Sequence, residues 1–243
     1  VISMGMAMSL VPVISDAFER KDYGFLKLNV ETGIRVAMLI GLPCAFGIMA
    51  LSEQIMLLLY PMQKASAISA AASLSILGLG LVFLTLVQTL TGILQGLGKP
   101  SIPVKNLFIG GLFKIAATYI LTGIASINIK GAAFGTLLAY MIATLLNIRA
   151  VIKYTHAKIN VKLTVIKPVI AVGIMTIAVI GSFKLFNNIV SYNLSTALAI
   201  CTGAAVYGIA LIAVKGITYE DFSMLPRGKK LAQLLVKMKL MKK

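Results

Sequence analysis

Between Gln54 and Tyr219 the chain contains no aspartate or glutamate, and this stretch is laid out as long apolar blocks divided by short connections. A soluble domain averages about 25% charged residues, whereas this chain has 12%, with 59% hydrophobic residues. A water-soluble globule could not cover that much apolar surface. Disorder is excluded by the same numbers, because disordered chains are polar and charge-rich. In lipid only helices and closed barrels satisfy their own backbone, and a barrel would show short alternating strands rather than long blocks. The predicted fold class is all-α, a polytopic bundle of membrane helices.

A spanning helix needs roughly 20 mostly apolar residues. By that measure the spacing predicts seven spans, at residues 1–15, 32–60, 68–94, 104–124, 132–152, 164–186 and 194–214. The first is expected to be truncated, since the chain opens at Val1 inside an apolar stretch. Pro43 is the predicted kink of the second span. Breakers mark the connections: Pro61, Gly98-Lys99-Pro100, and Asn128 with Gly131. Three regions follow, namely 1–153, an additional pair of spans at 154–215, and a basic tail at 216–243.

The cations orient these spans. Of 23 Lys and Arg, 19 fall in one set of alternate connections and the tail, and three (Lys64, Lys130, Lys184) in the other. Cytoplasmic connections are the cation-rich ones, so the C-terminus and the loop near Arg20 and Lys21 are expected in the cytoplasm. A net charge of +16 could point to nucleic acid, but the basic residues form short runs between apolar blocks, so no nucleic-acid partner is expected. In the tail, Leu231, Leu234, Leu235, Met238 and Met241 recur at helical spacing among Lys229, Lys230 and Lys237. This reads as an amphipathic helix on the anionic inner leaflet; the plainer alternative is a solvated charged end.

The missing carboxylates remove acid/base pairs and carboxylate metal sites from most spans. Cys44 and Cys201 have no metal-ligand spacing, and His156 reads as a solvated loop residue among lysines. No enzyme chemistry and no cofactor are expected. Lys114 is the sharpest candidate, sitting mid-span in the stretch GGLFKIAATY, where an ionisable group costs roughly 3 kcal/mol and tends to face a polar cavity. It either faces a water-filled pathway and attracts an anionic group such as phosphate, or snorkels to the boundary. Arg35 lies near the cytoplasmic end of the second span, four residues after Glu31. It reads as an anchor paired with Glu31, with phosphate recognition at the cytoplasmic mouth left open. Gln88 and Gln95 share a predicted face with Thr85 and Thr91, a polar seam that could line a cavity or simply bond between helices. Gly92/Gly96 and Gly131/Gly135 are small-residue pairs that permit close helix approach.

Three stretches carry a family resemblance: LTGILQGLGKP at 90–100, SLVPVIS at 9–15 and INIKGAAFGT at 127–136. They resemble the multidrug/oligosaccharidyl-lipid/polysaccharide (MOP) flippase superfamily, and most specifically the stage V sporulation protein B group of its polysaccharide transporter family. The resemblance implies the second half of a fourteen-helix transporter in the cell membrane. It implies a flippase for undecaprenyl-pyrophosphate-linked sugars, such as the peptidoglycan precursor lipid II, working by alternating access. Its partners would be that anionic lipid-linked oligosaccharide, membrane lipids and a coupling ion. The additional spans would form a groove for the polyprenyl tail. The competing readings are a cation-coupled multidrug exporter of the same superfamily, a membrane-embedded transferase for lipid-linked sugars, and a non-transporting scaffold for cell-wall synthesis. The cavity cations the resemblance implies precede Val1, so Lys114 rests on its own physical argument.

Overall fold

The computed structural model describes residues 2–216, with side chains from Met4 onward. The predicted tail helix with Lys229, Lys230 and Lys237 lies outside the described residues. What is described is all-helical: α1 (Ile2–Glu19), α2 (Tyr23–Ala50), α3 (Ser52–Leu59), α4 (Lys64–Gly96), α5 (Ser101–Thr122), α6 (Lys130–Thr155), α7 (Lys167–Asn187) and α8 (Tyr192–Ala213), with a π-helical turn at Lys162–Ile166 leading into α7. Six helices among the described residues (α2, α4, α5, α6, α7 with its π turn, and α8) are long and apolar enough to cross a membrane. The first predicted span is α1, helical over 18 residues but not among those six.

Helix ends follow local chemistry. The side chain of Asp22 accepts from the N–H of Phe25 at 3.0 Å and starts α2 nine residues before the apolar block at Thr32. That cap satisfies an otherwise orphaned donor. After α4, Gly98 takes the left-handed conformation (φ 70°), and the N–H of Lys99 returns to the carbonyl of Leu94 at 2.8 Å. This closes the helix as a left-handed C-terminal cap. His156 caps α6 with the same backbone sign.

The centre is built by α1, α2 and α4, through Ile14, Leu26, Val30, Leu90, Ile93 and Leu94, all essentially inaccessible. Backbones meet closely where the small-residue pairs were read. A methyl group placed on Gly92 would lie 2.5 Å from the carbonyl oxygen of Ala7 in α1, and one on Gly131 would lie 2.7 Å from the N–H nitrogen of Thr122 in α5. In lipid no hydrophobic force drives helix against helix, so such close packing and interhelical hydrogen bonds provide the cohesion. The bonds are specific: Asn106 of α5 donates to Asn147 of α6 at 2.8 Å, and Thr144 of α6 donates to the carbonyl of Phe83 in α4 at 3.1 Å.

Pro43, the predicted kink of the second span, lies inside α2. The helix runs through Pro43, and the interruption falls eight residues later at Leu51 (φ −110°, ψ 21°), between α2 and α3. Pro43 has no N–H, so the carbonyl of Leu39 one turn earlier loses its helical donor. The hydroxyl of Tyr207 in α8 donates to that carbonyl at 2.8 Å. A neighbouring helix thus satisfies a backbone group that lipid cannot. Tyr207→Phe is expected to destabilise the protein by about 1–3 kcal/mol, the cost of leaving a buried acceptor unpaired. Pro43→Ala restores the backbone donor, so in that background the same change should cost clearly less. Thermal unfolding in detergent measures the cycle, and strictly additive effects would refute the coupling.

The connections assigned to the cation-rich set lie together at one end. The N–H of Lys158 donates to Glu31 at 2.9 Å, the ammonium of Lys167 donates to the carbonyl of Lys215 at 2.7 Å, and Lys99 sits over the Tyr154 ring at 5.7 Å from its centroid. Loops distant in sequence thereby share one face of the bundle.

Candidate functional site

Two mainly apolar clefts that differ in their polar side chains open between these helices. The first, about 420 Å³, lies between α1, α4, α5 and α6. Its α4 wall carries Gln88, Thr91 and Gln95 on one helical face, with Met8 of α1, Leu107 of α5 and Tyr140 of α6 opposite. Residues three, four and seven apart share a helix face, which is why Gln88, Thr91 and Gln95 arrive together. Thr85, read as part of the same seam, is not on the cleft wall. Its hydroxyl donates to the carbonyl of Val82 at 2.8 Å, and its side chain packs against Gly41 of α2. Tyr140 was not among the residues singled out from sequence; only the packing of α6 against α4 brings it to the cleft.

Lys114 is exposed in the middle of α5. It does not line the cleft, but it lies seven residues from Leu107, which does. Seven residues are nearly two turns, so the two side chains share a face about 10 Å apart along the axis. The outward stripe of α5 is different: Val104, Phe108, Ile115 and Tyr119 are exposed and apolar or aromatic, suited to lipid. Only 6% of the most apolar window of α5 is buried, against 33–56% in the other five spans, and α5 is also among the least apolar of the six.

Arg35 is buried in α2, 8% exposed, and lines neither cleft. Glu31, its predicted partner, holds the loop after α6 through the Lys158 N–H. The structure therefore unites Gln88 with Gln95, leaves Lys114 further along the same α5 flank, and sets Arg35 apart.

The second cleft, also about 420 Å³, lies between α2–α3 and α7–α8 and is almost wholly apolar. Pro43, Gly47 and Leu51 form one wall, Met175, Gly203 and Tyr207 the other. Its one prominent hydroxyl, on Tyr207, already donates to Leu39. A third opening, about 640 Å³ between α4 and α6, carries Ser69 and Thr136. The hydroxyls of Ser69 and Thr136 return to their own helices at Ala65 (3.1 Å) and Ala132 (3.0 Å), whereas the hydroxyl of Ser73, on the same wall, is buried without a hydrogen-bond partner. Among the described residues no group of three His, Cys, Asp or Glu stands close enough to hold a metal ion.

Comparison with known proteins adds a family signal. The family model described as lipid II flippase MurJ matches residues 1–203. An uncharacterized membrane protein of Methanocaldococcus jannaschii is 29% identical over 210 residues, 86% of this chain; the chain spans 39% of that relative's length. No solved structure matches the chain.

Proposed function

This chain belongs to the lipid II flippase MurJ family, and from that membership we propose that it forms the C-terminal half of a fourteen-helix flippase for undecaprenyl-pyrophosphate-linked sugars, of the stage V sporulation protein B type. The observation that carries the reading is a pair of clefts, one mostly apolar but carrying Gln88, Thr91, Gln95 and Tyr140, the other almost wholly apolar. A lipid-linked oligosaccharide has an anionic, hydroxyl-rich head and a long apolar tail, and each needs a different surface. The cleft with Gln88, Thr91, Gln95 and Tyr140, with Lys114 on its α5 flank, suits the head. Amides and hydroxyls donate to sugar and phosphate oxygens, and an ammonium outside bulk water attracts a pyrophosphate strongly. The apolar groove beside α7 and α8 suits the tail.

The proposed chemistry is binding and gating, with no bond made or broken. One lobe would rock against the other and expose the head site to each leaflet in turn, as in other repeat-built transporters. Arg35, at the end where the cation-rich connections gather, would act at the cytoplasmic mouth. That end would be cytoplasmic, and the lysines of the tail would hold the inner leaflet.

The test is translocation by the full-length protein in proteoliposomes, offering lipid II, an undecaprenyl-pyrophosphate disaccharide and a cationic drug in parallel. Movement of the lipid-linked sugars and not of the drug is expected. Transport of the drug alone would replace this reading with a multidrug exporter.

A further inference from the structure

The opening of about 640 Å³ between α4 and α6 lies where both helices begin, α5 having returned the chain between them. That is the cation-poor end, yet two of its three cations adjoin the opening. Lys64 and Lys130 are exposed, each is the first residue of its helix, and they neighbour the lining residues Ala65 and Ile129. No carboxylate lines the opening, and none occurs on α4, α5 or α6. The first bond of α4 runs from the N–H of Ala67 to the carbonyl of Gln63 at 2.9 Å, and no side chain caps the helix. The N–H groups of Lys64, Ala65 and Ser66 therefore stand ahead of the helical ladder, at the positive end of a 33-residue helix. Ser66, Ser69 and Ser73 follow on one face of α4, spaced three and seven apart, and all line the opening. A serine inside a helix can return its hydroxyl to the backbone, as Ser69 does to Ala65 at 3.1 Å. Ser73 does not: its hydroxyl is buried and has no hydrogen-bond partner. Small side chains at Ala70, Ala132 and Ala133 leave the space between the helices open.

We propose that this opening binds a phosphate group joined to a hydroxyl-bearing unit, with Lys64, Lys130 and the first amides of α4 drawing the anion and the hydroxyls of Ser66, Ser73 and Thr136 meeting its neighbour. One exposed ammonium holds a phosphate weakly. Two beside free helix donors, with no carboxylate to cancel them, make a positive concavity. Ser69 and Thr136 have their protons engaged and still accept, while Ser66 and Ser73 can donate. Two molecules bring this chemistry to a membrane surface: the sugar-phosphate head of a lipid-linked oligosaccharide and the glycerol-phosphate head of phosphatidylglycerol. The anion site stands without the flippase reading. Only its use by a lipid-linked sugar rests on that reading, as a holding place for the head at the end opposite the cation-rich connections, built from other residues than the Gln88 and Gln95 cleft.

The test uses Ser66→Cys, an exposed lining position, in the full-length protein with its other cysteines replaced, in phosphatidylcholine nanodiscs. A sulfonate-bearing methanethiosulfonate should react about tenfold faster than an ammonium-bearing one, because a positive cleft concentrates anions. Lys64→Gln combined with Lys130→Gln should abolish that preference. Inorganic pyrophosphate, an undecaprenyl-pyrophosphate disaccharide and added phosphatidylglycerol are then offered separately as protectants. Protection by the disaccharide lipid and not by phosphatidylglycerol supports the site and assigns it to the lipid-linked sugar; the reverse supports it as the seat of a resident membrane lipid. Ser73→Ala should weaken protection severalfold while the melting temperature holds or rises, since the change removes a buried, unpaired hydroxyl. Equal rates for the two reagents in the parent, or no protection by any of the three, overturn the site and leave the translocation result untouched.

Discussion

Lys114→Gln in the full-length protein should lower lipid II translocation at least tenfold while leaving expression and thermal stability unchanged. The side chain is exposed, so its removal breaks no packing. What is lost is one positive charge at mid-span. Two unit charges at about 4 Å attract by about 4 kcal/mol at an effective dielectric constant near 20, and a tenfold change in rate needs only about 1.4 kcal/mol. Even a substantially weakened contact exceeds that threshold. Lys114→Arg keeps the charge and should retain most of the rate. Initial rates in proteoliposomes for the three proteins decide the matter. Equal rates for the glutamine variant and the parent would take Lys114 out of the pathway and leave it as a snorkelling residue.

Gly92→Ala is expected to cause the largest structural loss. The added methyl would meet the carbonyl oxygen of Ala7 at 2.5 Å and its carbon at 3.0 Å. Both are backbone atoms, so no rotamer change relieves the overlap and α1 must move away from α4. Overpacking of this kind costs about 1–3 kcal/mol, and more where the backbone itself must shift. Gly111→Ala is the matched control, since its methyl meets nothing within 4 Å and an alanine favours helix by about 1 kcal/mol. The melting temperature in detergent should fall for Gly92→Ala and hold or rise for Gly111→Ala. A Gly92→Ala protein as stable as the parent would show that α1 does not dock on α4 in this way.

The same contrast separates local from distant information. The breaker at Gly98-Lys99-Pro100 and the block at 104–124 were legible because insertion and capping depend on neighbouring residues. The start of α2 at Tyr23 was missed, because Lys27, Asn29 and Glu31 are polar yet still helical under the Asp22 cap. Gln88, Thr91 and Gln95 were placed on one face by helical period alone. Thr85, one turn earlier, reads on that face too, but in the structure it faces Gly41 of α2 and lies off the cleft wall.

What the sequence by itself determined is that this chain is a stack of apolar helices with its cations collected in alternate connections. Those are sums over adjacent residues, and no partner is needed to evaluate them. The tertiary structure alone decided that Tyr207 completes the carbonyl bared by Pro43, that Tyr140 joins the glutamines of α4, and that the second span breaks at Leu51. Each depends on which helix lies beside which, and one greasy surface is as attractive to another in lipid as to any third. The choice among partners is made by small residues and single hydrogen bonds, whose counterparts lie as far as 168 positions away along the chain.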